Sequence, residues 1–544
     1  MPLLLLVASL LLTSLNHGAS DSNIVDSACI NTLYPDICHS TVVSDINQNM
    51  IETKKDVIEL TVNKTKDTIQ ANFNHISNLI TSNTNLPKRA KMALHDCLDI
   101  EVDTLEQLDV VIHYLSEYPT KRPLQQYADD LKTIMSTTIT NKETCLDGFS
   151  YHDDVAGKRL RNLIIKGQEH GAKMCSNVLA MIKNMTDTDI ANNPELNNIP
   201  RRRLKGENDI MWPSWVSAGD RKLLWFGLVI PNVVVSKDGK GNYTTVAAAV
   251  EAAPTKSSKR FVIKITAGKY KENVLIPRNK HNIMFVGDGI GKTIITGSKN
   301  VAAKDGTTQN TATVAAMGER FLARDITFEN TAGPSGEQAV ALRVGSDLSA
   351  FYKCSMEGYQ DTLYVHYNRQ FFIKCVVTGT VDFIFGNAAV VFQFCDIMVR
   401  KPGRNQRNMV TAQGRTDINM DTGIVIQKCT IHAAPDLKPV QGNFSTYLGR
   451  PWKKFSRTVI MRSTISEVIK KEGWFPWDGD FALDTLYYRE YQNSGPGSDT
   501  SKRVKWKGWG VMKNSTEARS FTVARFINGW GWLLFTGFPF WPGL

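Results

Sequence analysis

Two aspartates occupy equivalent positions of a short repeat. Asp361 follows a phenylalanine by ten residues and a cysteine by seven, and Asp382 follows a second phenylalanine and cysteine at the same distances, 21 residues later. In a parallel β-solenoid, equivalent positions of successive coils stack about 4.8 Å apart, so the two carboxylates are expected to be neighbours. Adjacent carboxylates do not both ionise readily, and one retains a proton. The pair could supply a nucleophile and an acid at one pH; the alternative is two structural turn residues.

Amide and guanidinium side chains accompany this pair. Gln360 directly precedes Asp361, and Gln338 lies 22 residues earlier, which is close to one coil. Side-chain amide N–H groups are suitable donors to an oxyanion. Arg450 stands between a glycine and a proline, and an arginine can keep a carboxylate ionised through paired hydrogen bonds. Trp452 offers a flat apolar face for a sugar ring.

Other catalytic sets are missing from the sequence. The segment GPSGE at 333–337 lacks the GxSxG pattern, and there is no HExxH or phosphate-binding loop. No CxxC pair exists, so a zinc site is not expected, and no cofactor is predicted. His366 is the histidine nearest the aspartates, and we interpret it as structural. The chemistry is therefore expected to depend on carboxylates.

From residue 232 onward the chain alternates short β-rich runs with Gly, Asn and Asp turns, which indicates a β-solenoid. A frame of one apolar residue, two further residues and then Asp, Cys or Ser recurs at spacings of 29, 21, 20, 34 and 34 residues. The last residues of this frame are Asp325, Cys354, Cys375, Cys395, Cys429 and Ser463. The longer spacings predict loops on one rim, where a cleft is expected.

The N-terminal part has a different organisation. Residues 1–20 contain an apolar core and a small-residue exit, which is typical of a secretory signal. Residues 21–190 show apolar residues at helical spacing and predict four long helices in an antiparallel bundle. Residues 191–225 form a Pro-containing linker, followed by the catalytic domain at 226–544. Two basic clusters in the linker suggest proteolytic processing or solvated charge: Arg201-Arg202-Arg203-Leu204 and Arg221-Lys222-Leu223-Leu224.

Charge is unevenly distributed along the chain. Residues 1–225 carry 23 Lys and Arg against 28 Asp and Glu, a net charge of −5, whereas the remainder carries 41 against 25, a net charge of +16. A basic domain favours an anionic partner. We find no nucleic-acid motif and no membrane span, so an anionic polysaccharide fits this charge.

Nine cysteines are present, and an exported protein is expected to form disulfides. We predict the pairs Cys29–Cys38 and Cys97–Cys145, which leaves Cys175 unpaired. The four C-terminal cysteines have two alternatives: they could form the pairs Cys354–Cys375 and Cys395–Cys429, or they could stack as small core residues.

Several motifs together resemble the plant pectin methylesterases. They are GKYKE at 268–272, EQAVAL at 337–342, GYQDTLY at 358–364, GTVDFIFGN at 379–387, VTAQGRTD at 410–417 and YLGRPW at 447–452. The N-terminal part resembles the inhibitor domain of the same enzymes through CINTLYPDIC at 29–38 and NKETCLDGF at 141–149. The resemblance implies an all-α four-helix bundle followed by an all-β right-handed parallel β-helix. It also implies hydrolysis of galacturonate methyl esters without a metal.

The same resemblance implies roles for individual residues. Asp382 would be the nucleophile and Asp361 the proton donor and acceptor. Gln338 and Gln360 would stabilise the oxyanion, and Arg450 would orient Asp382. Trp452 and Thr308 would contact the sugar, although Thr308 lies in a looser match.

The resemblance also implies partners and a location. The expected partners are methyl-esterified pectin, inhibitor proteins and a processing protease, and the protein is expected to be a secreted monomer of the cell wall. The competing interpretations are another β-helix enzyme, such as a pectate lyase or polygalacturonase, and a non-enzymatic pectin-binding protein.

Overall fold

The structure is a computed structural model that describes residues 23–43, 51–150, 154–193 and 230–544. The chain divides into a helical unit and a β-rich unit. The described helices of the first unit end at Asn192, and the first strand begins at Val233. The predicted signal segment and both basic clusters of the linker lie outside the described residues.

The helical unit contains four long helices, as predicted. They are Lys54–Ser82, Lys88–Glu117, Leu124–Asp147 and Val155–Asn192, preceded by a short helix at 23–29 and by Pro35–Val43. The first long helix begins with a capping box, in which the Thr53 side chain accepts from the Asp56 amide and the Asp56 carboxylate accepts from the Thr53 amide. None of the helices in these described ranges is apolar and long enough to cross a membrane.

Both predicted disulfides of the helical unit are confirmed. Cys29–Cys38 closes the N-terminal hairpin, and Cys97–Cys145 joins two neighbouring long helices. Cys175 is buried and unpaired, as expected.

A carboxyl group lies inside the bundle. The Glu101 side chain is buried, and its Oε1 accepts a hydrogen bond from Nε2 of Gln168. Burial raises the pKa of Glu101 to about 7, although the Gln168 hydrogen bond opposes the shift. The folded bundle therefore holds Glu101 protonated at acidic pH and must bury its charge above neutrality.

We predict that Glu101→Gln stabilises the bundle in a pH-dependent way. Wild-type stability falls as the pH rises from the unfolded pKa of about 4.3 through the folded pKa, because the unfolded state releases this proton first. The variant should therefore gain on the order of 3 kcal/mol at pH 8 and little at pH 4. Far-UV circular dichroism during unfolding of the full chain measures this, with the exposed Glu106→Gln as control. An equal effect of Glu101→Gln at both pH values would contradict the prediction.

The β-rich unit winds 26 strands into three sheets, and every strand pair in these sheets is parallel. The first sheet contains Val233–Val235, Phe261–Ile265, Ile283–Val286, Leu322–Arg324, Ser349–Tyr352, Arg369–Ile373, Ala389–Gln393, Gly423–Gln427, Arg457–Met461, Tyr487–Tyr491 and Trp509–Val511. The second sheet contains Gly268–Lys271, Thr293–Gly297, Thr327–Asn330, Ser355–Glu357, Val376–Gly379, Asp396–Val399, Thr430–Ala433 and Thr464–Ile465. The third sheet contains Val274–Ile276, Val314–Ala316, Leu342–Val344, Leu363–Val365, Ile384–Gly386, Asn408–Gln413 and Thr446–Pro451.

The predicted repeat matches the strand register with one exception. Phe351 pairs with Phe372, and their rings stack 4.5 Å apart between coils. The assignment of Asp325 to the cysteine position of the frame is wrong by one residue, because Ala323 pairs with Phe351 and so places Ile326 level with Cys354. Asp325 lies instead in the left-handed turn that joins the first two sheets, with a φ of 58°.

The four C-terminal cysteines stack in the core, so the predicted pairs Cys354–Cys375 and Cys395–Cys429 are wrong. From Cys375 onward each thiol donates to a main-chain carbonyl of the preceding coil, for example from Cys375 Sγ to Phe351 O at 3.4 Å. The side chains thus point into the solenoid interior. The stacking alternative is confirmed.

Helices cover two apolar surfaces of the solenoid: the end formed by the first coil and the outer face of the first sheet. The helix Val246–Ala252 packs its apolar residues onto the first coil. The outer face of the first sheet is covered by the C-terminal segment, which includes the short helices Ser515–Arg519, Val523–Phe526 and Gly529–Trp532. The third sheet carries Asp361 and Asp382 in the turns that precede two of its strands.

Candidate active site

Asp361 and Asp382 lie in the same turn of two adjacent coils. One residue separates each aspartate from the following strand of the third sheet, and Leu363 pairs with Ile384 in register. Both aspartates have left-handed backbone conformations, with φ values of 60° and 49°. Aspartate tolerates this conformation better than most residues, and such backbone strain is concentrated at functional sites. The predicted juxtaposition of the two residues is confirmed by the strand register.

Arg450 holds Asp382 with three hydrogen bonds. Its Nε donates to Oδ1 at 2.9 Å and to Oδ2 at 3.2 Å, and its Nη2 donates to Oδ2 at 2.6 Å. Arg450 lies on the strand Thr446–Pro451, and the pairing of this strand with Asn408–Gln413 fixes the position of Arg450 along the third sheet. A forked guanidinium contact of this kind favours the ionised carboxylate and fixes its plane. The sequence predicted this partner correctly.

The two carboxylates differ in their environments. Asp361 is buried, and within the described residues its carboxylate has no such guanidinium fork. Burial raises the pKa of Asp361 well above its usual range, the charge of Asp382 raises it further, and the charge of Arg450 partly opposes both. The site therefore places Asp361, whose proton is held more tightly than usual, beside an Asp382 that is paired with a cation.

Gln338 and Gln360 flank the turn, but they are not equivalent residues of successive coils. The coil repeat here is 21 residues, so Gln338 is level with Tyr359, and the amide of Ala339 donates to the Gln360 carbonyl at 3.2 Å. The Gln338 side chain is half-buried, and its buried Oε1 has no hydrogen-bond partner among the described residues. The atom left without a partner is thus the acceptor oxygen of the amide and not one of its N–H donors.

Aromatic side chains form the outward face of the third sheet beside the aspartates. Tyr364 stacks on Phe385 at 4.3 Å, and Phe385 meets the Trp452 ring edge-on at 5.9 Å. A Cβ atom at Gly414 would lie 2.9 Å from Cε3 of Trp452, so glycine leaves room for this ring. These residues make an apolar floor that includes Trp452, and the contact of Trp452 with a sugar stays a prediction.

Two further residues concern the site: one was predicted as a sugar contact, and the other packs against this floor. Thr308 begins the short 3₁₀ helix Thr308–Thr311 and is half-buried. Trp477 was not predicted, and its ring lies 4.3 Å from Cζ of Arg450. The aromatic-rich segment at 474–477, between two coils, was the available signal for it.

Arg400 is a second residue that sequence reasoning missed. Its Nη2 donates to Oη of Tyr359 at 2.7 Å, its Nη1 donates to the Gly358 carbonyl at 3.1 Å, and its Cζ lies 3.9 Å from the Tyr359 ring centre. These contacts hold the turn that carries Gln360 and Asp361. Tyr359 and Arg400 both line a concavity of about 520 Å³ beside the second sheet, which contains none of the predicted site residues.

Comparisons with known proteins agree with this geometry. A family model described as "Pectinesterase" matches residues 232–530, and one described as "Plant invertase/pectin methylesterase inhibitor" matches residues 23–181. "Pectinesterase/pectinesterase inhibitor U1" of Solanum lycopersicum is 57% identical over 97% of this chain and 90% of its own length. "Pectinesterase" of Daucus carota is 66% identical over 58% of this chain and 99% of its own length. The solved structure "Pectin methylesterase from Carrot" has 65% identity and a TM-score of 0.58, and the match covers 58% of this chain and 99% of that chain.

The fold and site define a carboxylic ester hydrolase built on a right-handed parallel β-helix and preceded by an inhibitor-like four-helix bundle. The chain belongs to the pectinesterase family, because the family model matches more than half of it and similar relatives cover nearly all of it. Its reaction is the de-esterification of pectin. The predicted fold, enzyme class and substrate class are thereby confirmed.

We predict that Asp361→Asn stabilises the β-rich unit increasingly as the pH rises above about 4, the ordinary pKa of aspartate. The raised pKa of wild-type Asp361 means that the folded state holds its proton longer than the unfolded state does, so wild-type stability declines with pH in this window. The variant is neutral throughout. Tryptophan fluorescence during thermal unfolding is the measurement, because all 11 tryptophans lie after residue 211.

The matched control is Asp396→Asn, a partly exposed carboxylate that contacts His432 on the second sheet. A stability difference between Asp361→Asn and wild type that stays constant from pH 4 to neutrality would contradict the prediction.

Proposed function

We propose that pectin methyl esters are hydrolysed by a two-step acyl transfer on the Asp361–Asp382 pair. The ionised Asp382 carboxylate attacks the ester carbonyl of a galacturonate unit, and the amides of Gln338 and Gln360 donate to the oxyanion. Asp361 gives its proton to the departing methanol. It then takes a proton from water, which attacks the acyl-enzyme and releases the carboxylate product and Asp382.

The observation that carries this proposal is the unequal environment of two neighbouring carboxylates. Arg450 forks onto Asp382 and favours its charge, whereas Asp361 is buried without such a partner. Their different surroundings suit one carboxyl group to act as an acid and the other as a nucleophile, as the proposed reaction requires. Arg450 also orients the attacking oxygen, and Trp452 and Thr308 contact the sugar.

We predict that Asp382→Asn abolishes methanol release while binding to methyl-esterified pectin persists. The neutral amide cannot form the acyl-enzyme, but it preserves side-chain size and leaves the aromatic floor unchanged. The experiment measures methanol release and pectin retention for the variant, for wild type and for the control Asp396→Asn. Methanol release by Asp382→Asn at the control rate would exclude this nucleophile.

Chain length separates the proposed reaction from the competing β-helix chemistries. De-esterification releases methanol and leaves the polymer at its original length, whereas a lyase or a polygalacturonase shortens it. Size-exclusion chromatography of the product tests this directly.

We further propose that the protein is a monomer secreted to the cell wall and that its helical unit inhibits the β-rich unit until the linker is cut. The net charges of −5 and +16 favour association of the two units, and a tether gives them an effective concentration up to the millimolar range. Inhibitor proteins and a processing protease are the corresponding partners. Cleavage after Arg221-Lys222-Leu223-Leu224 would begin the mature enzyme at Trp225; the other candidate is Arg201-Arg202-Arg203-Leu204.

We predict that the uncut chain has low specific activity. The test compares full-length protein, in which both basic clusters are replaced by Ala, with the chain that begins at Trp225. The carrot relative has nearly the extent of this shorter chain, which supports its use alone. Equal specific activities at equal concentration would contradict inhibition by the helical unit. Restored activity after linker cleavage and dilution of the released bundle would support it.

A further inference from the structure

A row of mostly cationic residues runs along the edge where the first sheet turns into the second. Six successive coils turn there through one residue in the left-handed conformation, with a φ between 46° and 54°. The coil register keeps these residues level, because the last first-sheet residue of each coil pairs with that of the next. We call them the turn row, and in coil order they are Lys353, Lys374, Phe394, Lys428, Arg462 and Gln492.

The residue types of the turn row are not those that its backbone conformation favours. Glycine and asparagine adopt a positive φ most readily, whereas long or bulky side chains adopt it at a cost. The row contains neither glycine nor asparagine, and four of its six members are cations. Strain that recurs over successive coils indicates that these side chains serve a function.

The four cations of the turn row present their charge to solvent. Lys353, Lys374 and Arg462 are exposed, and Lys428 is half-buried. Within the described residues none of the four forms an ion pair with a side-chain carboxylate, and Nζ of Lys428 donates to a main-chain oxygen of Leu544 at 3.4 Å. Burial lowers the pKa of Lys428, and the charge of Arg462 on the next coil lowers it further. A polyanion along the row would relieve this repulsion.

Two exposed aromatic residues lie in the middle of the turn row. Phe394 is 42% exposed and Trp541 is 52% exposed. Nζ of Lys428 lies 4.5 Å from the ring centre of Trp541 and 5.7 Å from that of Phe394. Gln393 fixes the Trp541 main chain, because Trp541 N donates to its Oε1 at 2.8 Å and its Nε2 donates to Trp541 O at 2.9 Å. Ring faces beside cations offer a sugar an apolar surface and its carboxylate a partner.

The turn row and the candidate active site lie at opposite ends of the second-sheet strands. Lys374 precedes the strand Val376–Gly379, and Asp382 follows it. From Lys353 to Arg462 the row covers four coil steps, which is about 19 Å at the usual strand spacing. A ligand that follows the row is therefore extended and carries several negative charges.

We propose that the turn row is a second binding site, separate from the site of hydrolysis, for a de-esterified stretch of pectin. Such a stretch is the product of pectin de-esterification and carries one carboxylate per galacturonate unit. Its carboxylates pair with the cations of the row, and its sugar rings rest on Phe394 and Trp541. The site holds the enzyme on de-esterified material, and it depends on the substrate class but not on the roles given to Asp361 and Asp382.

The test measures binding of de-esterified homogalacturonan to the full chain at low salt. Glutamine suits the turn, because Gln492 occupies it with a φ of 46°. The row variant carries three substitutions: Lys353→Gln, Lys374→Gln and Arg462→Gln. The control variant loses the same charge from exposed lysines outside the row: Lys502→Gln, Lys505→Gln and Lys507→Gln. The row variant should bind about tenfold more weakly than wild type, and the control should bind within about twofold of wild type. Equal weakening in both variants would overturn the proposal, because binding would then follow overall charge.

Methanol release distinguishes the turn row from the site of hydrolysis. A short, fully methyl-esterified oligogalacturonate has no carboxylates for the row, so the row variant should hydrolyse it with the kcat/KM of wild type. A fall in this kcat/KM that matches the loss of galacturonan binding would overturn a separate site. Binding of the de-esterified chain requires no turnover, so the activity of Asp382→Asn does not bear on this result.

Polyanions of other classes test whether the site recognises a polysaccharide. Wild type should bind poly-glutamate and single-stranded DNA of matched charge more weakly than galacturonan, and Trp541→Ala should weaken the binding of galacturonan alone. Equal affinity of wild type for all three polymers would overturn the proposal. Should the triple row variant fail to fold, Lys374→Gln is compared with Lys502→Gln: weaker galacturonan binding by Lys374→Gln supports the site, and equal binding overturns it.

Discussion

The candidate site depends on the register between two coils of the solenoid. Parallel pairing of the third-sheet strands places Asp361 directly beside Asp382, so neither carboxylate can be considered without the other. Two like charges at this separation oppose each other, and their protonation is therefore coupled. Arg450 favours the ionised form of Asp382, because its guanidinium makes a forked contact with that carboxylate. The rest of the solenoid keeps this register fixed through its stacked core.

Stacking within the core explains why the register is rigid. Phenylalanines 351, 372 and 392 stack with ring centres 4.5 and 4.8 Å apart, and the four cysteines continue this order in a neighbouring row. A slip of one residue would turn every core side chain of a strand outward. The left-handed aspartates therefore sit on a scaffold that over-determines their position, which is the condition under which backbone strain persists.

Much of this architecture could be predicted because it is periodic. The 21-residue repeat gave the adjacency of the aspartates, and helical periodicity gave the four long helices of the bundle. Asp325 was misplaced because a turn residue and a core residue are both compatible with the pattern of its coil. The sequence could not decide whether the four C-terminal cysteines form disulfides or only stack, because the coil spacing brings them together in both cases.

Contacts between distant loops could not be predicted from spacing. Trp477 and Arg400 reach the site from excursions whose lengths differ from coil to coil. Their roles depend on three-dimensional surroundings that no local pattern encodes. Residues inside motifs were found, whereas residues that support those motifs from another coil were not.

The central claim is that one carboxyl group of the pair stays protonated and that this group is Asp361. Infrared difference spectroscopy of the carboxyl C=O stretch tests it most directly, with wild type compared against Asp361→Asn and Asp382→Asn at mildly acidic to neutral pH. The account predicts a protonated-carboxyl band in wild type that disappears in Asp361→Asn. A band that persists in Asp361→Asn and disappears in Asp382→Asn would reverse the two roles and contradict the account.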